Sequence, residues 1–326
     1  MPTVLPSQVS NLIADTGYAV LLESYAAEPA FYPMFTDVRP MSESWSPGGH
    51  KEVLQSGVEQ LEEIEFGQEI HGSSVGGTRT AFMKTRKLSR MISFPEEIWR
   101  SQNAQAVMGA SIASLARTWG QYAIVKKDQI VAGLFNNGAL TAGSVGDFKN
   151  HWSGETGAVD GFIYDGEPFF DGAHLDLAGN SYANYLASGA LSASTMANIY
   201  AVMSAENNRD ERGERVSLRP DLLMVPADLR TTGIELLDSE LKPGGSNNDI
   251  NANRGLLSLI VNPYLTDSTG WFMGKKEGVR VYDSGVPVFR ENFNARTQSV
   301  EVYVSTYISV GVVNWRFWTG IDIAAS

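Results

Sequence analysis

From Ser299 to Val313 the chain alternates. Val300, Val302, Val304, Ile308, Val310 and Val312 fall on one side of the pattern, and Glu301, Tyr303, Ser305, Ser309 and Gly311 on the other. Period two belongs to a β-strand with one face in a core. The fold therefore has to house a long strand near its C-terminus, just before the aromatic run Asn314–Trp318 (NWRFW). Upstream, Asp221–Leu229 (DLLMVPADL) is an apolar run halted at Pro226, and Leu256–Leu265 (LLSLIVNPYL) is one halted at Pro263. Gly270–Met273 reads GWFM. The predicted order is strand–Pro, helix, polar insert, strand–Asn–Pro, aromatic strand, and a terminal strand closed by Trp. No catalytic motif lies on it.

The longest helix is expected over residues 95–138. Pro95 opens it, and Glu96 and Glu97 sit near its positive end. Met108, Ile112, Leu115, Trp119 and Tyr122 recur in steps of four and three, so the spacing predicts one shared face. Asn136-Asn137-Gly138 stops the run. From Ser101 to Phe135 an unbroken helix spans ~50 Å. Residues 1–58 are mixed. Ser7–Tyr25 has helical spacing, and Phe31, Tyr32, Met34 and Phe35 follow between Pro29, Pro33 and Pro40. That aromatic stretch is read either as an irregular N-terminal lobe or as an arm burying its rings on a neighbouring subunit.

Residues 59–94 separate their charges. Glu59, Glu62, Glu63, Glu65 and Glu69 crowd the first half, and Arg79, Lys84, Arg86, Lys87 and Arg90 the second. Between them His71–Thr78 (HGSSVGGT) is turn chemistry. The expectation is a long hairpin with oppositely charged arms, each cross-strand pair contributing roughly 0.2–1 kcal/mol. Charge interrupts Phe82, Leu88, Ile92 and Phe94 throughout, so the ribbon has no apolar face and needs a partner surface. Glu62, Glu63, Glu65, Glu69, Lys84, Arg86, Lys87 and Arg90 are accordingly the candidate intersubunit contacts. Gly72–Gly76 also satisfies G-x-S-x-G, the nucleophile elbow of hydrolases. That motif needs a buried strand before it and a helix after it. A charged β-pattern follows instead, and neither His151 nor His174 has a triad setting.

Residues 139–190 are rich in Gly, Asp and aromatics, with Asp160–Gly172 reading DGFIYDGEPFFDG. Asp171, His174 and Asp176 match no established metal spacing. Phe162, Tyr164, Phe169 and Phe170 predict an ordered insertion. In residues 191–290, Ser192 or Ser194 caps a helix carrying Met196, Ile199, Tyr200 and Met203. Glu206–Arg215 is a charged turn, Ala227–Leu237 a helix, and Lys242–Arg254 a polar loop. No cofactor is predicted.

Bulk properties exclude more than they select. A chain of 326 residues with 43% hydrophobic content can bury a real core. The net charge of −12 disfavours a protein that grips nucleic acid, since phosphate binding rests on Lys and Arg. An acidic wall suits a container that must not bind the polymer packed inside it. With no cysteine there is no disulfide framework or thiolate metal site. Neither a signal peptide nor a membrane-length apolar run is visible.

The order of elements from Glu59 to Ile323, and most of all Arg219–Trp318, resembles the major capsid (head) proteins of tailed bacteriophages, especially the Mu-type head subunit. The resemblance implies an α+β, Hong Kong 97-like capsid fold. Its parts would be an N-terminal arm (1–58), an extended β-hairpin loop (59–94) and a peripheral domain with a spine helix (95–138). An ordered insertion (139–190), an axial domain (191–290) and a return to the peripheral domain (291–326) would follow. It further implies pentamers and hexamers in an icosahedral head around double-stranded DNA that is not bound sequence-specifically. Portal and decoration proteins are implied partners, and the chain would be assembled in the host cytoplasm and reside in the virion. No long charged coiled segment precedes the capsid region, so a separate scaffolding protein, or none, is expected. A gene-transfer particle or a protein-cargo compartment is the alternative, and a serine hydrolase a remote one.

Overall fold

A computed structural model describes residues 6–41, 49–55, 78–95, 104–139, 163–241 and 250–323. Its centre is β13, Ser299–Val312, the strand expected from the alternation. At 14 residues it is about 46 Å long at ~3.3 Å per residue. Helix α2, Ala104–Asn136, runs 33 residues, or about 50 Å, and packs across it.

Along one edge β13 pairs antiparallel with β4, Thr85–Pro95. Along the other it pairs first with β12, Val288–Asn294, and then with β11, Val279–Asp283. β1, Asp37–Pro40, adds parallel to β11. β13 therefore holds this five-stranded sheet together. Helix α1, Pro6–Ala27, lies on α2 and β12, closing a core of Leu21, Ile112, Ala116, Phe289, Val300, Val302 and Val304.

The second sheet has the order β7-β14-β10-β8-β9. It comprises Tyr185–Leu186, Trp318–Ile321, Trp271–Gly274, Leu222–Val225 and Ser258–Val261 in that order. Its central strands β14, β10 and β8 are buried on both faces, and their alternation divides two cores. Leu222, Met224, Ile260 and Phe272 join the C-terminal half of α2, Phe169, Phe170, Trp315 and Trp318. Leu223, Val225, Trp271, Met273 and Ile321 face helices α3 (Ala193–Ala201) and α4 (Arg230–Leu237). Ser192 caps α3 by accepting from the Thr195 N–H.

Several expectations meet a different arrangement. The predicted α2 face is displaced: Tyr122 is 64% exposed, while Ile112, Ala116, Gly120 and Ile124 are buried in steps of four. Small residues face inward because α1 crosses there at close range. The N-terminal aromatics bury on their own subunit. Tyr32 and Phe35 enter the core beside Phe135, and Met34 stays exposed. β13 shows one core face only in its first half. Beyond Ser305 both faces are covered, because β3 (Thr78–Met83) lays Met83 over Gly311 and its carbonyl accepts from the Ser309 hydroxyl. The boundaries at 190 and 290 do not follow the sheets either: β11 belongs to the first sheet and β14 to the second.

Asp171, His174 and Asp176 do not converge. His174 sits between Asp165 (2.6 Å) and Asn184 (3.0 Å), stacked on Trp315 at 4.3 Å. Asp171 accepts from the Ala173 N–H, and Asp176 from that of Asn180. Each satisfies its own turn.

Candidate assembly surface

The 59–94 hairpin is built differently from its expectation. Glu62, Glu63, Glu65, Glu69 and the Gly72–Gly76 motif lie outside the described residues. The strand expected to run from Arg79 to Phe94 divides at Lys84. Its first part, β3, pairs with β2, His50–Gln55, in a two-stranded ribbon. Its second part, β4, leaves that ribbon and becomes an edge strand on β13. The reason is the even-numbered face of β4. Leu88 and Phe94 are apolar enough to cover the cores beneath, and a long strand with an open ladder supplies the backbone partners.

This divides the basic residues by role. Lys84, Lys87 and Arg90 are exposed, whereas Arg86 is half-buried. Burial lowers the Arg86 guanidinium to about 10, and its Nη2 has no partner among the described residues. Between β4 and α2 runs a groove of about 770 Å³, lined in part by Lys87, Leu88, Arg90, Trp119, Tyr122 and Lys126. Among the described residues its lining carries three cations and no carboxylate. Trp119 and Tyr122 come from the predicted apolar stripe, and Lys126 lies one turn beyond Tyr122. Met91, 56% exposed, stands on the same odd-numbered face of the strand as Lys87. Edge strands of this length present unpaired backbone groups, and Lys and Arg along them discourage indiscriminate pairing.

A long helix laid on a sheet with a charged edge, beside a second sheet whose central strands are buried on both faces, is a scaffold for surfaces. Residues 82–321 match the family model described as Phage capsid protein. The chain belongs to the phage capsid protein family. This capsid protein has the Hong Kong 97-like fold. It superposes on a chain from the capsid of an empty GTA particle computed with C5 symmetry at TM-score 0.51 and 10% identity, covering 91% of this chain and 90% of that one. A chain from Mycobacterium phage Che8 gives 0.48 at 9% identity, covering 91% and 93%. One from the procapsid of bacteriophage JBD30 gives 0.46 at 12%, covering 97% and 75%. No curated protein sequence matches the chain significantly. The capsid protein is a structural component of the head shell. Among the described residues no helix is long and apolar enough to cross a membrane.

Proposed function

We propose that this major capsid protein closes into an icosahedral head of pentamers and hexamers around double-stranded DNA, with the β4–α2 groove as one of its intersubunit contacts. The observation that carries the groove assignment is its charge. Lys87, Arg90 and Lys126 line it with no carboxylate among the described residues, while the same chain carries Glu59, Glu62, Glu63, Glu65 and Glu69 close together in sequence. An acidic segment of a neighbouring copy complements the groove. Individual contacts of this kind are weak, but each subunit engages several neighbours, and a closed shell adds them. Assembly in the host cytoplasm, a separate scaffolding protein, a portal and decoration proteins complete the proposal. The Mu-type relationship belongs to it as well. The acidic net charge fits an inner wall that does not grip its DNA.

The test is expression of the chain followed by light scattering and negative-stain microscopy. Closed shells, or rings of five and six, are expected alone or with scaffold. A protein that stays monomeric with every scaffold tried would overturn the proposal. Lys87→Glu with Arg90→Glu tests the groove and should lower shell yield as rising salt does. Arg86 is left out because its half-buried position would turn charge reversal into a folding test. Cargo separates the alternatives: genomic DNA marks a virion, random DNA a gene-transfer particle, and protein a compartment.

A further inference from the structure

A two-stranded ribbon has no core of its own, so its direction is decided where it is rooted. The β2–β3 ribbon is rooted through two carboxylates, Glu52 on the ribbon itself and Glu211 in a turn that faces it. On β2, Glu52 ion-pairs with Arg280 of β11 and accepts from the Tyr282 hydroxyl at 2.6 Å. Arg280 is held in turn by Asp37 of β1 at 3.0 Å. Two residue pairs along the ribbon, His50 stacks on the Tyr282 ring at 4.2 Å with planes 11° apart. This clamp ties the ribbon to the first sheet.

On β3, Arg79 reaches the other way. Its Nε lies 3.3 Å from Glu211 Oε2, and its Nη2 donates to the Leu175 carbonyl at 2.7 Å. Its guanidinium also covers the Tyr164 ring at 5.8 Å. The other oxygen of Glu211 pairs with Arg316 at 2.5 Å. Arg316 is only 2% exposed and stacks on Trp315 at 4.3 Å. Glu211 therefore joins a buried cation beside the second sheet to the ribbon strand. Arg79 is opposite Leu54, at the end of the ribbon away from His50. The two clamps thus grip opposite strands near opposite ends of the described ribbon.

We infer that Glu52 and Glu211 are positioning residues for assembly, fixing the angle at which the β2–β3 ribbon leaves the subunit relative to both sheets. A ribbon held at one clamp can swing about it; held at two, one on the first sheet and one on the segments carrying Leu175 and Glu211, it has one pose. A shell needs that pose, because an angular error at the root changes the direction in which the whole ribbon points. The consequence for shell geometry rests on the proposed function; the clamping of the ribbon does not.

Arg79→Gln is the discriminating variant, since it releases the ribbon from the second clamp alone and leaves the buried Arg316–Glu211 pair intact. Glu211→Gln breaks both contacts and strands a buried cation, so it serves only as the second variant. In the unassembled subunit, hydrogen exchange of β2 and β3 amides should rise at least tenfold in Arg79→Gln while β13 keeps its protection. Arg79→Lys, which can keep one of the two polar contacts, should fall between. In assembly reactions Arg79→Gln should give shells of mixed size or open sheets where the wild type gives one size. Unchanged exchange in β2 and β3 overturns the clamp. Raised exchange with shells of normal size overturns its role in shell geometry. If the wild type itself forms no shell, the proposed function falls, and the exchange rates alone decide whether the clamp exists.

Discussion

Ser24 Oγ stands 2.0 Å from the point a Cβ on Gly120 would occupy, and the Leu21 carbonyl oxygen 2.8 Å from it. Helices α1 and α2 therefore touch backbone to backbone at this crossing. Ala has the better helix propensity by about 1 kcal/mol, but here the added methyl would force the helices apart. The Ser24 hydroxyl can turn away, whereas the carbonyl cannot. Gly120→Ala should lose about 2 kcal/mol of stability net, read as a lower Tm of the unassembled subunit. A Tm equal to the wild type's would show that α1 shifts without cost.

Asp128 gives the fold a pH dependence of known sign. Its carboxylate accepts the Phe31 and Tyr32 N–H groups at 3.0 and 2.8 Å. Burial nonetheless raises it to about 6, outweighing the two hydrogen bonds, which pull it down. A raised folded-state value means stability is fully present below the ordinary carboxylate range and is lost as pH rises through about 6. The loss is on the order of 3 kcal/mol. Asp128→Asn keeps an acceptor and removes the titration. Urea unfolding between pH 4 and 8 should give a flatter stability curve for the variant, and parallel curves would contradict the assignment.

His50 works in the opposite direction. The ring is 1% exposed, and neither nitrogen has a partner among the described residues. Burial lowers its protonation point, against an opposing pull from Glu52. Its contribution to stability is present above the ordinary histidine value of about 6.5 and is lost as pH falls below it. His50→Phe preserves a ring against Tyr282 without the titrating nitrogens. The gap between the urea midpoints of variant and wild type should therefore widen in the variant's favour from pH 7 to pH 5. A constant gap would remove His50 from the acid response.

Phe135 is the hub of the core between the sheets. Its ring centroid lies 5.0–5.6 Å from those of Phe35, Phe169, Phe272 and Trp318. Phe135→Ala should cost about 3–5 kcal/mol, while Phe135→Leu should cost about 1 kcal/mol. Chemical denaturation of both variants checks the pair, and equal losses would mean that ring geometry, not filled volume, sets the stability.

What the sequence determined by itself is what neighbouring residues decide together. Alternation at Ser299–Val312 made β13, and the apolar run of residues 222–225 made β8. Apolar spacing with an Asn-Asn-Gly stop made α2. These patterns, in order, also carried the resemblance to capsid proteins. Tertiary structure alone decided which partners these elements found. β4 looks locally like the arm of a charged ribbon, yet it pairs along β13 because Leu88 and Phe94 have a core to cover. Tyr122 looked like a core residue until α1 arrived close enough to require Ala116 and Gly120 in its place. The clamps join Glu52 to Arg280 and Glu211 to Arg316 across separations of 228 and 105 residues. The charge of a side chain is written in the sequence, but its partner is chosen by distance in space, and only the folded chain sets that distance.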